Sequence, residues 1–244
     1  MGINMSRRLS HELGEELARQ NASMAEASDN PKLLLALEER AYSVLQNTLI
    51  SADCSGAFVI LDATVNSRLP NARLSRAGVY LKLANINKHN AIAPDLLFVR
   101  GMHEVGTKHG HIFHNKWELE FSIERWNMYE ELKRKAQPSL TKCYMVTPSV
   151  SLHGTWETMM LFLAPILDSK GRFMGVCGLE INSLYYKLAL SSHAFTKQLT
   201  GLIACREGDQ LLPGVGDGGA ARIGHQGAGL ARQDAVQTHI ALEG

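Results

Sequence analysis

Apolar positions along the chain change their period twice, and the changes mark its elements. In the first 28 residues Leu13, Leu17 and Met24 recur at coiled-coil-like spacing, with Gln20 in the same stripe and charges elsewhere. This predicts a helix with a narrow apolar seam. So thin a seam buries little alone, and the helix needs a partner helix or the main domain. A second helix is clearly punctuated, with Asn30 as N-cap and Pro31 at its first position. Leu34, Leu37, Ala41, Val44, Leu45 and Leu49 follow on one face, and Ser55-Gly56 lies beyond its end.

The period then becomes strand-like. Phe58-Val59-Ile60-Leu61 is a short apolar run ending at Asp62, and Val79 to Leu83 alternates apolar and polar. Leu96 to Val99 suits another strand or a packed loop. From Trp117 to Lys135, the residues Phe121, Arg125, Trp126, Tyr129 and Leu132 recur at three- and four-residue spacings, which predicts a helical crossover. Three more strands are expected: Cys143 to Val146, Met159 to Leu167 and Met174 to Ile181. The last two are joined by Asp168-Ser169-Lys170-Gly171, a turn whose glycine suits a positive φ. The expected fold class is α+β, an antiparallel sheet with its helices segregated to one side.

Composition sharpens the domain boundaries. All sixteen aromatic residues lie between Tyr42 and Phe195, while ten of the 21 glycines lie from Gly201 onward. Aromatic side chains supply much of a core's buried area, and glycine weakens helices and strands. We therefore expect a stalk-like helix over residues 1–30, a packed domain over 31–192, and a reduced or partial glycine-rich lobe over 193–244. A formal net charge of +1 lacks the basic excess that a nucleic-acid binder needs. The opening residues are charged rather than signal-like. The longest apolar run, Met159 to Leu167, is about half the roughly 20 residues of a membrane span. Cys54, Cys143, Cys177 and Cys205 form no CxxC pair, which fits buried thiols and leaves a disulfide open.

Ala164 to Ile181 resembles the closing hairpin of the Cache family, the PAS-like extracytoplasmic sensor modules of bacterial chemoreceptors and histidine kinases. The shared pattern is an apolar strand with Pro165, the D-x-x-G turn at Asp168–Gly171, then Gly175-Val176-Cys177-Gly178-Leu179-Glu180. Upstream, Glu124 to Tyr129 resembles the family's helix that sets Arg, Trp and Tyr over the ligand, and Tyr144 to Pro148 falls where the third strand would be. The resemblance implies a five-stranded antiparallel sheet with a long N-terminal helix and a helical crossover over a ligand pocket. It implies a non-enzymatic ligand sensor, extracytoplasmic and anchored to a membrane only through segments outside this chain. Arg125, Trp126, Tyr129, Glu180, Tyr144, Tyr80 and Lys82 are the ligand-binding candidates it suggests, for a small polar molecule bearing a carboxylate or an amine. No cofactor, metal or nucleic-acid partner is expected, and the seam on residues 13–24 suggests a homodimer.

The family's amino-acid sensors have Arg-x-Trp-Tyr, whereas Arg125 and Trp126 are adjacent here, and Glu180 stands where Asp is usual. The resemblance therefore implies the fold without an amino-acid specificity. Phe195 to Leu212 resembles the opening of the family's second lobe.

The main competing constellation is the histidine-rich stretch His103, His109, His111 and His114, with Glu104 and Glu118 nearby. It is the alternative basis for a small hydrolase or metal-dependent enzyme. Its neighbours, rich in Gly, Lys and Asn, predict a surface loop. Gly214 to Gly219 matches G-x-G-x-x-G formally, but Pro213 precedes it where the dinucleotide fingerprint requires a strand. Cys143 or Ser151 with His153 forms a nominal nucleophile–base pair without a nucleophile elbow.

Overall fold

A computed structural model describes residues 1–52, 54–84, 95–124, 127–148, 150–151 and 158–182. The helices are α1 (Gly2–Arg19), α2 (Pro31–Ser51), α3 (His103–Lys108) and α4 (Asn127–Lys135). The strands are β1 (Gly56–Leu61), β2 (Ser75–Arg76), β3 (Gly78–Leu83), β4 (Leu96–Arg100), β5 (Ile112–Glu118), β6 (Phe121–Ser122), β7 (Met145–Val146), β8 (Val150–Ser151), β9 (Thr158–Leu167) and β10 (Phe173–Asn182).

The five expected strands form one continuous antiparallel layer in the order β3-β1-β10-β9-β7. The sheet grows beyond that layer. β4 pairs antiparallel with β3, β5 pairs parallel with β4, and β8 adds to β9. Leu96 to Val99 is therefore a strand. The hairpin between β9 and β10 turns as its sequence requires, since Gly171 adopts φ 75.

Alternation along β1 divides the interior in two. Ala57, Val59 and Leu61 face α1 and α2 in the larger core, while Phe58 and Ile60 face the other side. There they meet Tyr129 and Leu132 of α4, Phe121, Ile123, Leu161, Leu163 and Val176. The long helices thus cover one face, and α4 covers part of the other.

α2 begins as its sequence predicts: Pro31 opens it and the Asn30 side chain accepts a hydrogen bond from the Leu33 N–H at 3.1 Å. The α1 seam finds its partner within the chain. Leu9, Leu13, Leu17 and Met24 are buried in the larger core, with α1 against α2, β9 and β10. The Ser6 hydroxyl donates to the Pro165 carbonyl at 2.6 Å, and Ser10 Oγ accepts from the Leu167 N–H at 3.1 Å. The expected 28-residue helix ends at Arg19; Asn21 turns the chain with φ 48 before a short 3-10 turn over Met24–Ala27.

The helix expected from Trp117 to Lys135 is shorter. Trp117 lies in β5, Phe121 lies in β6 paired with β2, and among the described residues of this span the helix is Asn127–Lys135. Both segments send aromatic residues inward, so their spacings merged into one helical pattern. Of the histidine-rich stretch, His103 opens α3 and His114 lies in β5, while His109 and His111 occupy the turn that joins them. Cys54, Cys143 and Cys177 are buried free thiols. Among the described residues no helix is long and apolar enough to cross a membrane. The expected second lobe, the glycine-rich segment, Cys205 and His153 lie outside the described residues.

Candidate functional site

The register of three strands creates one polar row on the sheet face opposite α1 and α2. Gly56 of β1 stands between Lys82 of β3 and Glu180 of β10. Across two strand spacings those flanking Cα atoms are about 10 Å apart. Gly56 leaves the intervening position without a side chain, and Lys82 Nζ reaches across it to Glu180 Oε1 at 3.2 Å. A Cβ added at Gly56 would lie 3.0 Å from the Tyr80 ring and 3.3 Å from Glu180 Oε2.

Two hydroxyls complete the cluster. Tyr80 OH donates to Glu180 Oε2, and Ser55 Oγ donates to Glu180 Oε1 at 2.8 Å. Ser55 also ties down the strand, because its N–H reaches the Glu180 carbonyl at 2.8 Å and its Oγ accepts the Asn182 N–H at 3.1 Å. Glu180 is fully buried, while Lys82 keeps 18% of its side chain exposed. A buried carboxylate is tolerated only when paired and hydrogen-bonded, and this one receives an ammonium and two hydroxyls.

Aromatic rings hold Tyr80 in place. Its ring meets Phe58 edge-on at 5.7 Å and stacks with Phe121 at 6.5 Å. The Phe58 ring in turn sits over Gly178, where any Cβ would come within 2.3 Å of it. Tyr80, Lys82 and Glu180, all anticipated from sequence, therefore meet. Ser55 was missed, although its place just before a strand opening with glycine put it within reach.

The remaining candidates divide. Arg125 and Trp126 lie outside the described residues. Tyr129 is fully buried among Phe58, Ile60 and Val176, and its hydroxyl donates to Asp62 Oδ1 at 2.9 Å. Asp62 follows the far end of β1, about 20 Å along the strand from the Glu180 row. Burial and the neighbouring Asp62 carboxylate push the Tyr129 phenol far above its ordinary value. Lys133 and Arg76 also approach Asp62, at 2.8 and 3.5 Å, so this corner clamps α4 to the sheet. Beside it, Ser28, Asp62, Thr64, Ser67, Arg73 and Arg76 line a polar cleft of about 240 Å³. Tyr144 stacks on Phe162 at 5.4 Å, next to the larger core on the helix side.

The histidines divide, His109 and His111 gathering at Tyr42 and His103 at Phe113. His109 stacks on Tyr42 at 3.8 Å and contacts Glu39 at 3.0 Å, while His111 Nε2 meets Tyr42 OH at 2.5 Å. His103 stacks on Phe113, and His114 Nδ1 accepts the Lys116 N–H at 3.1 Å. Burial lowers the pKa of His111. Among the described residues no three His, Cys, Asp or Glu side chains gather as a metal site.

One further buried acid belongs to neither cluster. Glu38, on α2, is fully buried between the helix and the sheet, and its Oε2 accepts the Met102 N–H at 2.7 Å.

Neither a family model nor a curated protein sequence matches the chain. Among solved structures, it is similar to the sensory domain of Campylobacter jejuni chemoreceptor Tlp3 (14% identity, TM-score 0.37), over 78% of this chain and 63% of that one. It is similar to the periplasmic sensory domain of C. jejuni chemoreceptor Tlp1 (14% identity, TM-score 0.40), over 83% of this chain and 56% of that one. A third similarity is to the extracellular domain of a histidine kinase (12% identity, TM-score 0.30), over 72% and 56%. The chain thus spans less than two thirds of the solved domains it matches.

Proposed function

We propose that this chain is a non-enzymatic, small-molecule-sensing domain of an extracytoplasmic receptor, with the Glu180 row as part of its ligand site. The observation that carries this reading is the fully buried Glu180 carboxylate, gathered with Lys82, Tyr80 and Ser55 on the side of the sheet away from the long helices. A sheet face that only had to pack would use apolar side chains here, as Phe58 and Ile60 do two and four residues along β1. Convergent polar groups framed by aromatic rings are the ordinary dress of a ligand site. In this reading Arg125 and Trp126 join the site from the segment before α4. Ligand binding favours one arrangement of sheet and helices, and the packed α1–α2 pair relays it.

Thermal denaturation across a metabolite library, run beside turnover assays with added zinc, tests the proposal. A sensor gives a compound that raises the melting temperature without product formation. Turnover that depends on His111, or a library in which no compound shifts the transition, overturns it.

A further inference from the structure

We infer that the turn joining α3 to β5 is a proton-operated catch on α2: uptake of a proton by His111 in mild acid loosens the turn from the helix. The device stands on its own geometry and does not require the Glu180 row to be a ligand site.

His111 is held from two sides, and its partners fix which nitrogen carries hydrogen. The Leu96 carbonyl, 3.3 Å from Nδ1, can only accept, so Nδ1 bears the proton of the neutral ring. Nε2 is then the acceptor, and Tyr42 OH donates to it at 2.5 Å. Tyr42 is buried on α2, with the His109 ring stacked on it at 3.8 Å. The ring of His111 thus bridges β4 and α2 on the strength of a bare Nε2. A second proton would aim an N–H at the phenol oxygen, which the Gln46 side chain already engages, and would leave the phenol proton without its acceptor.

The acids around the catch are engaged elsewhere or open to water. Glu39 of α2 already takes Lys108 Nζ at 3.1 Å and His109 Nε2 at 3.0 Å. Glu38, one turn before Tyr42, turns to Met102 and stays neutral below about pH 8. Asp95 before β4 is exposed, as are His103 and Glu104 at the far end of α3. On β5, His114 accepts the Lys116 N–H and Glu118 pairs with Arg100. Burial foremost, and then the neighbouring His109, hold the His111 pKa below the ordinary imidazole value, against the opposite pull of the Leu96 carbonyl. A released ring regains about 6.5. The seated ring binds its proton less readily than the released one, so the catch is at full strength above that value. It weakens as pH falls toward the seated value, and its opening equilibrium rises at most about tenfold per pH unit, the limit for one proton.

Two measurements on the whole chain test this. Nuclear magnetic resonance of the labelled imidazoles should find His111 as the Nδ1–H tautomer, titrating below free imidazole. Native-state hydrogen exchange, with protection referred to the intrinsic rate at each pH, reads the catch itself. The N–H groups of His109, Gly110 and His111 are hydrogen-bonded to Val105, Thr107 and Gly106, at 3.3, 3.0 and 3.0 Å. Their protection should fall at least about threefold between pH 7.5 and 5.5, while that of α1 holds. H111Q keeps an acceptor within reach of Tyr42 but takes up no proton, and should show no fall; H109Q should retain it. A His111 that titrates at or above free imidazole overturns the inference. So does wild-type protection that is flat across this range, a fall that persists in H111Q, or a fall that disappears in H109Q.

Discussion

Glu38 Oε2 accepts the Met102 N–H at 2.7 Å, while its Oε1 has no partner among the described residues. A carboxyl so placed is expensive to ionise. Burial outweighs the hydrogen bonds from Met102 and Gly78, with Glu120 and Glu104 adding repulsion, and its pKa is pushed up to about 8. The folded chain therefore holds this proton where the unfolded chain, with an ordinary carboxyl, has released it. Its effect on stability is absent below the ordinary carboxylate range and grows as pH rises toward 8. Relative to the wild type, E38Q should gain stability progressively between about pH 4.5 and 8, by roughly 3–5 kcal/mol in all. Urea denaturation of both proteins at several pH values measures it; parallel curves would contradict the assignment.

The vacancy at Gly56 makes the Lys82–Glu180 pair feasible. G56A should lower the melting temperature by several degrees, since its Cβ would press on the Tyr80 ring and the Glu180 carboxylate. K82M alone should cost about 3–5 kcal/mol by stranding a buried carboxylate, and E180Q/K82M should recover much of that loss. A double-mutant cycle by chemical denaturation checks both statements; additive single effects would contradict the coupling.

The Tyr129 hydroxyl gives Asp62 one of its donors. Y129F keeps the ring in the second core and removes only the hydroxyl, with its bonds to Asp62 and Arg76, so a loss of about 1.5–3 kcal/mol is expected. Tyr129 burial leaves no cheap alternative partner. An unchanged midpoint would show that Lys133 and Arg76 satisfy Asp62 without it.

Leu13 is fully buried against the chain's own core. L13A should destabilise the fold by about 2–5 kcal/mol, equally at low and high protein concentration. A loss that deepens on dilution would instead place Leu13 at a contact between chains.

How much of this was legible beforehand depended on whether local signals acted alone. The start of α2 was readable because Asn30 and Pro31 are capping chemistry that needs no distant partner. The β9–β10 hairpin was readable because Gly171 marks its turn. Residues 112–122 were not, since Trp117 and Phe121 sit in strands fixed by pairing with the strands of Arg100 and Arg76 across the chain. At the site, resemblance supplied Glu180, Tyr80 and Lys82. Ser55 and the vacancy at Gly56 became visible only with the strand register. Tyr129 belongs to the sequence segment expected at the site, yet its hydroxyl is claimed by Asp62, a partner 67 residues away that no local spacing announces.

The two serines of α1 carry a mechanical implication. Ser6 and Ser10 are four positions apart, one helical turn, and grip the backbone of β9 at Pro165 and Leu167. Small continuous sliding of this helix along the strand would break both grips at once. The interface is notched rather than smooth, since the next register that sets a serine at the same height lies a whole turn away, about 5.4 Å. The two bonds stand or fall together, which ties the seating of the helix to the position of β9.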